Sequence, residues 1–196
     1  MIEPLLRDKY QKLCIDPLIQ SALFYKIFPH PHAVTVIGCL FGVATLPLLA
    51  LNHPLFALLA LAISGFLDTL DGSLARLKNQ ISCKGAALDI VCDRIVEFAI
   101  VLALYSVDTT SRALPTLLML GAILICVTSF LVVGIFTENR SEKSFHYSPG
   151  LIERAEAFIF FSAMILIPSA FYILSYLFAI LVFLTAGIRI VQFFNR

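Results

Sequence analysis

Six apolar stretches constrain this chain more than any other feature of its sequence. They occupy residues 33–51, 54–77, 85–105, 113–136, 155–167 and 170–191, separated by short polar segments. A transmembrane helix needs about 20 mostly apolar residues. The chain is 60% hydrophobic and only 14% charged, whereas soluble domains are about 25% charged. We therefore predict an all-α polytopic membrane protein with six transmembrane helices, the fifth being the shortest.

The N-terminal segment has a different character. Apolar residues recur there at helical spacing among charged ones, namely Leu5, Leu6, Tyr10, Leu13 and Leu18. This pattern is typical of an amphipathic helix lying in the membrane interface, although a soluble N-terminal helix is the alternative. We predict an interfacial N-terminal helix within residues 1–32 and a six-helix transmembrane domain over residues 33–196.

The basic residues predict the orientation of the chain. In a six-span arrangement, those in or near the loops and termini fall on one side with a single exception, Arg112. The residues on the common side are Arg7, Lys9, Lys12, Lys26, Arg76, Lys78, Lys84, Arg140, Lys143, Arg154, Arg189 and Arg196. Because cytoplasmic loops are enriched in Lys and Arg, we expect both termini and the site described next to face the cytoplasm. The expected location is the cell inner (cytoplasmic) membrane.

Four aspartates lie at the predicted cytoplasmic ends of the second and third helices. Asp68 and Asp71 are three residues apart, and Asp89 and Asp93 are four apart, so each pair shares one helix face. A carboxylate at membrane depth costs roughly 2.5–3.5 kcal/mol on insertion scales. Two divalent cations would relieve the repulsion among these groups, and paired ions are a known device for phosphoryl displacement. The four aspartates are our predicted metal ligands, with Mg²⁺ or Mn²⁺ as the ion.

Small residues and one arginine accompany the aspartates. Gly72 and Ala75 would leave a notch where a ligand could approach the backbone, and Arg76 beside it could bind a phosphate with two donors. Gly85, at the start of the third helix, permits close helix packing. The region from 68 to 93 therefore looks like a phosphate-handling site.

This stretch resembles the signature of the CDP-alcohol phosphotransferase (CDP-alcohol phosphatidyltransferase) family, D-x2-D-G-x2-A-R-x8-G-x3-D-x3-D. All eight determined positions match. The resemblance implies that Asp68, Asp71 and Asp89 hold two divalent metals and that Asp93 is the general base. It also implies that Gly72, Ala75 and Arg76, together with Asp68, contact the nucleotide.

The resemblance further implies a reaction and an assembly. Such enzymes transfer a substituted phosphate from a CDP-linked donor, here CDP-diacylglycerol, to an alcohol and release CMP. They act as homodimers at the cytoplasmic face of the membrane. With a net charge of only +1, nothing suggests a nucleic-acid partner.

Weaker signals concern the acceptor. Residues 150–154 resemble the Gly-Leu-Ile-Glu-Arg stretch of phosphatidylinositol-phosphate synthases in the family, but Ala157 stands where those enzymes tend to have a second Arg. We expect inositol or a related polyol as acceptor, with the missing cation arguing against inositol phosphate. Four residues are candidates to line an acceptor or donor-phosphate site: Arg154, Arg140, Lys143 and Glu97.

Each of these signals has a simpler explanation. Arg154, Arg140 and Lys143 could be ordinary cytoplasmic anchors, and Glu97 could pair internally with Arg94. His32 replaces the Asn of a Pro-Asn-x-x-Thr segment common in the family, which favours placement at the interface over nucleotide contact. A cation-coupled transporter remains the alternative function, because intramembrane carboxylates also mark ion pathways.

Overall fold

Six α-helices account for most of the chain in the computed structural model, which describes residues 30–137 and 150–195. They are α1 (Pro31–Ala50), α2 (Pro54–Leu77), α3 (Cys83–Ser106), α4 (Ala113–Phe136), α5 (Arg154–Leu166) and α6 (Phe171–Phe194). A 3₁₀ turn, Pro168–Ala170, precedes α6. The predicted interfacial helix, Arg140 and Lys143 lie outside the described residues, so the proposed division at residue 32 stays a prediction.

Local sequence explains where the helices begin and end. Pro31 and Pro54 occupy first helical positions, where a missing N–H costs nothing. Ser82 caps α3 by accepting a hydrogen bond from the Gly85 N–H at 3.1 Å. Asn52 and Asn79 follow α1 and α2 with φ of 61° and 52°, a left-handed conformation that Asn tolerates better than most residues.

Four of the six helices are long and apolar enough to cross a membrane: α1, α2, α4, and α6 together with its preceding turn. Helix α3 is long enough but carries Lys84, Asp89, Asp93, Arg94 and Glu97. Helix α5 has only 13 residues. The prediction of an all-α fold is confirmed over residues 30–137 and 150–195, where six helices are present. The predicted count of six transmembrane helices is not confirmed, because α3 carries charged residues and α5 is short.

Helix packing brings the ends of α2, α3 and α5 together. Helix α1 packs against α2 and α3, α4 packs against α6, and α5 lies against α2 and α6. The Arg112 guanidinium, just before α4, lies 4.1 Å from the ring centre of Phe171 at the start of α6. Arg189 near the end of α6 lies 5.4 Å from the Phe130 ring in the second half of α4. Helices α4 and α6 therefore run parallel, and α5 returns the chain between them.

Two glycines let α1 approach its neighbours closely. A Cβ added at Gly38 would lie 3.2 Å from Leu67 Cβ of α2, and one at Gly42 would lie 2.5 Å from Val96 of α3 and 2.9 Å from the Ser64 hydroxyl. The spacing Gly38-x3-Gly42 is the small-residue pattern of helix contacts in membranes. These contacts hold the helices that carry the aspartates.

We expect Gly42→Ala to destabilise the protein by about 1–3 kcal/mol, the usual cost of overpacking, because Val96 is 1% exposed and cannot move aside. Thermal unfolding in detergent would measure this. Gly121→Ala in α4 is the matched control, since a Cβ there meets nothing within 4 Å. Equal melting temperatures for the two variants would contradict the packing argument.

Candidate functional site

Three of the four predicted aspartates form one cluster. Asp68 and Asp71 project from α2 and Asp89 from α3, and one carboxylate oxygen of each lies within 4.8 Å of the others. The short 78–82 connection makes the two helices antiparallel neighbours, so residues from the end of α2 meet those from the start of α3. The cluster could hold a metal ion.

The buried oxygens of this cluster fit a hard cation. Asp71 Oδ2 and Asp89 Oδ1 are buried and have no hydrogen-bond donor among the described residues. A buried carboxylate oxygen without a partner is costly. Carboxylate oxygens are the ligands that Mg²⁺ and Mn²⁺ prefer. Both the type of these oxygens and their lack of hydrogen-bond donors therefore suit a divalent ion.

Asp93 lies beside the cluster and is tied to it by an arginine. The Arg154 Nη1 group pairs with both Asp68 Oδ1 and Asp93 Oδ1. Arg94 lies further away, with 3.8 Å between its Nη2 and Asp93 Oδ2. Arg154 thus pairs with a carboxylate of α2 and one of α3, which goes beyond the membrane anchoring considered as its alternative role. Its assignment to an acceptor or donor-phosphate site stays a prediction.

The predicted nucleotide residues line the last turns of α2. A Cβ at Gly72 would have only the Arg76 Nη1 group within 4 Å, at 3.7 Å, so the notch is present. Arg76 Nη2 donates to the Ser73 hydroxyl at 2.9 Å, which folds the guanidinium along its own helix. Ala75 is partly exposed. These positions leave the backbone beside Asp68 open to approach.

Gly85 and His32 meet at the entrance to α1 and α3. A Cβ at Gly85 would lie 2.9 Å from the His32 imidazole. The close packing predicted for Gly85 is therefore with the start of α1. This contact puts His32 next to the polar end of α3, whichever role it has.

A narrow cavity of about 10 Å³ lies beneath the aspartates, close to the size of one water molecule. Asp68, Asp93 and Arg154 line its polar side, and Cys39 and Cys92 line it where α1 meets α3. The Ser64 hydroxyl also lines it and has no hydrogen-bond partner within residues 30–137 and 150–195. The space that Asp68, Asp93 and Arg154 line is therefore too small for a ligand larger than water.

Glu97 forms the internal pair predicted for it. Arg94 Nη1 lies 2.8 Å from Glu97 Oε2, and Glu97 is 8% exposed. Its assignment to an acceptor pocket stays a prediction. Sequence reasoning missed Thr185 and the cavity-lining Ser64, Cys39 and Cys92. The Gly38-x3-Gly42 spacing, which is typical of close helix contacts in membranes, is a sequence signal that could have indicated part of this region.

Comparisons with known proteins point in one direction. A family model described as CDP-alcohol phosphatidyltransferase matches residues 28–188. "Inner membrane protein YnjF" of Escherichia coli (strain K12) is 31% identical over 196 residues, covering 93% of each chain. A phosphatidylinositol phosphate synthase of Corynebacterium glutamicum is 26% identical over 156 residues, which is 77% of this chain and 68% of that protein.

The fold also resembles a solved structure. The crystal structure of Mycobacterium tuberculosis phosphatidylinositol phosphate synthase with CDP-DAG bound matches with a TM-score of 0.76 and 22% sequence identity. The match covers 92% of this chain and 93% of that one. At this identity the likeness concerns the fold.

Proposed function

We propose, because this chain belongs to the CDP-alcohol phosphatidyltransferase family, that the cluster between α2 and α3 is where it splits a CDP-linked lipid. The chain is a membrane enzyme of phospholipid biosynthesis that transfers a phosphatidyl group to an alcohol. It is not the cation-coupled carrier that intramembrane carboxylates alone left open.

One observation supports the assignment of the site: three aspartates converge from two helices, and two of their buried oxygens have no hydrogen-bond donor among the described residues. Asp68, Asp71 and Asp89 would hold two divalent ions, with Asp93 at the edge of the set. Bound there, Mg²⁺ or Mn²⁺ would neutralise charge on the pyrophosphate and on the leaving CMP. The chain's own contribution is to gather the ligands on two rigid helices.

Asp93 is our candidate for the general base. It lies one helical turn beyond Asp89 and pairs with Arg154. Its Oδ2, which lies 3.8 Å from the Arg94 Nη2 group, would take the proton of the acceptor hydroxyl. The hydroxyl oxygen would attack the donor phosphorus at the same time, and CMP would leave. A positioned base of this kind contributes roughly 10²–10⁴-fold to the rate.

We propose that Arg154 moves when substrates bind, because it pairs with Asp68, one of the proposed metal ligands. We propose that its guanidinium then leaves Asp68 and binds the acceptor, since it already contacts Asp93, the candidate base. Gly72, Ala75 and Arg76 would then receive the cytidine nucleotide over the open backbone of α2.

CDP-diacylglycerol is the proposed donor and inositol or a related polyol the proposed acceptor. The Mycobacterium tuberculosis neighbour has CDP-DAG bound, and relatives are named phosphatidylinositol phosphate synthases. Here the second arginine is replaced by Ala157, which is 6% exposed and packs in the apolar core. An unphosphorylated polyol therefore suits this chain better than its phosphate.

We further propose that all six helices cross the membrane with both termini cytoplasmic. Because α4 and α6 run parallel, α5 must return the chain between them. Its 13 residues span about 20 Å at 1.5 Å per residue, and the turn before α6 lengthens the return. The basic residues near the aspartates support a cytoplasmic site. A homodimer and an interfacial N-terminal helix complete the proposal.

Purified protein in detergent, given CDP-diacylglycerol, Mg²⁺ or Mn²⁺ and a panel of alcohols, tests this reaction. We expect CMP release that depends on the divalent ion and is fastest with inositol or a similar polyol. Faster release with inositol phosphate would overturn the acceptor assignment alone. No release with any acceptor would overturn the proposed reaction.

A further inference from the structure

The Thr185 hydroxyl of α6 uses all of its hydrogen-bonding positions, and two of the three bonds hold the segment just before α5. Its Oγ1 accepts the N–H of Leu151 at 3.2 Å and the N–H of Ile152 at 3.1 Å. The same hydroxyl donates to the Leu181 carbonyl at 2.9 Å. A threonine hydroxyl has one donor and two acceptor positions, so none is left over. Thr185 is 1% exposed, which shields these bonds from competing water.

Gly150 packs against the side chain of Thr185 next to these hydrogen bonds. A Cβ at Gly150 would collide with the Thr185 methyl group. The position therefore needs glycine because of the close approach to α6. Two independent features therefore hold residues 150–152 against α6 at Thr185. One is the pair of hydrogen bonds to the Thr185 hydroxyl, and the other is the absence of a side chain at Gly150.

The contact leads directly to Arg154. Glu153 is the N-cap of α5, and a capping box joins it to Glu156, whose Oε2 accepts the Glu153 N–H at 3.2 Å. Arg154 is the first helical residue. The backbone is held at Leu151 and Ile152 by Thr185, and the helix is capped at Glu153. The Cα position of Arg154 is therefore closely fixed. That side chain reaches across to Asp68 and Asp93.

We propose that Thr185 is a positioning residue for Arg154: it sets the start of α5 so that the guanidinium reaches the acceptor beside Asp93. This rests on the acceptor role proposed above for Arg154. Within the described part of the chain, Thr185 is neither one of the clustered aspartates nor one of the residues that line the cavity. Its influence on catalysis therefore passes through the 151–154 backbone.

A double-mutant cycle tests the proposal. Thr185→Val keeps the side-chain shape but removes both acceptor positions, and we expect the acceptor KM to rise roughly tenfold, as for the loss of two ordinary hydrogen bonds. The kcat should change much less. Thr185→Ser keeps the hydroxyl and should restore the wild-type KM. In an Arg154→Gln background, Thr185→Val should raise the KM no further, because the side chain it positions is gone.

Thr116→Val is the matched control. Thr116 is 4% exposed, and its hydroxyl donates to the Arg112 carbonyl at the opposite end of the molecule. We expect its acceptor KM to be unchanged. An unchanged acceptor KM in Thr185→Val would overturn the proposal. So would an equal rise in acceptor KM when Thr185→Val is made in the wild-type and in the Arg154→Gln protein. If Thr185→Val does not fold, Gly150→Ala disturbs the same contact from the loop and should reproduce the rise in KM.

Amide hydrogen exchange separates this proposal from the proposed reaction. In Thr185→Val, exchange at Leu151 and Ile152 should quicken roughly tenfold, as expected for local opening, while the rest of α6 stays protected. If the wild-type enzyme released no CMP, the reaction would be wrong but faster exchange would still support Thr185 as the residue that holds this segment. Unchanged exchange would refute that role whatever the activity.

Discussion

Asp93→Asn is expected to lower kcat for CMP release by roughly 10²–10⁴-fold, the usual contribution of a positioned base. Asparagine keeps the size of the side chain but cannot accept the proton of the acceptor hydroxyl. The fold should survive because Arg154 retains its pairing with Asp68. Initial rates of CMP release, with size-exclusion profiles of both proteins, measure the effect. Unaltered release from folded Asp93→Asn would remove Asp93 as the base.

Two comparisons separate a lost base from a displaced arginine. Asp108→Asn changes an exposed aspartate that accepts the N–H groups of Thr110 and Ser111, and it should leave kcat unchanged. Arg154→Gln should act mainly on the acceptor KM. If Arg154→Gln reproduced the kcat loss of Asp93→Asn with no change in KM, the two residues would not have the separate roles proposed for them.

Replacing Asp71 and Asp89 together by asparagine is expected to abolish divalent-ion binding. These residues supply the two buried oxygens that have no donor within the described part of the chain. Loss of a supporting group beside a metal typically costs 10–100-fold in affinity, and loss of two ligands should cost more. Titration with Mn²⁺, followed by electron paramagnetic resonance of the free ion, measures binding without requiring turnover.

Arg154→Gln provides a control with the opposite sign in the same titration. Arg154 pairs with Asp68, one of the proposed ligands, so its cation competes with the metal for that carboxylate. Its removal should therefore tighten Mn²⁺ binding severalfold. Wild-type Mn²⁺ affinity in the Asp71→Asn, Asp89→Asn protein would place the metal elsewhere.

The core of the site was predictable because its spacing is local. Asp68 and Asp71 share a face of one helix and Asp89 lies on the next, and a short loop forces the two helices to be neighbours. The helix bounds follow similarly from proline, serine and asparagine at the ends. Periodicity and turn chemistry act within a few residues, so the sequence expresses them directly.

The contacts of Arg154 could not be predicted in the same way. It is 61 residues from Asp93 along the chain, and the pairing depends on how α5 lies against α2 and α3. Thr185 is further from the signature still, and its role comes from a loop meeting another helix. Such contacts leave no periodic trace in a single sequence, so Arg154 read equally well as a membrane anchor.

The number of transmembrane helices was harder to predict, because functional side chains lower the hydropathy of the helix that carries them. Helix α3 has the length of its neighbours but carries the charged groups of the site, which lowers its apolar character. Helix α5 is short, ending before the turn at Pro168. Hydropathy therefore identifies α1, α2, α4 and α6 more readily than α3 and α5, which carry Asp89, Asp93 and Arg154.

Anomalous scattering from crystals of the full chain grown with Mn²⁺ and CDP-diacylglycerol would test the central claim most directly. We expect manganese peaks between the carboxylates of Asp68, Asp71 and Asp89, with the donor pyrophosphate against them. Pyrophosphate bound elsewhere, or an ion-free cluster in protein that still releases CMP with Mn²⁺, would contradict the account.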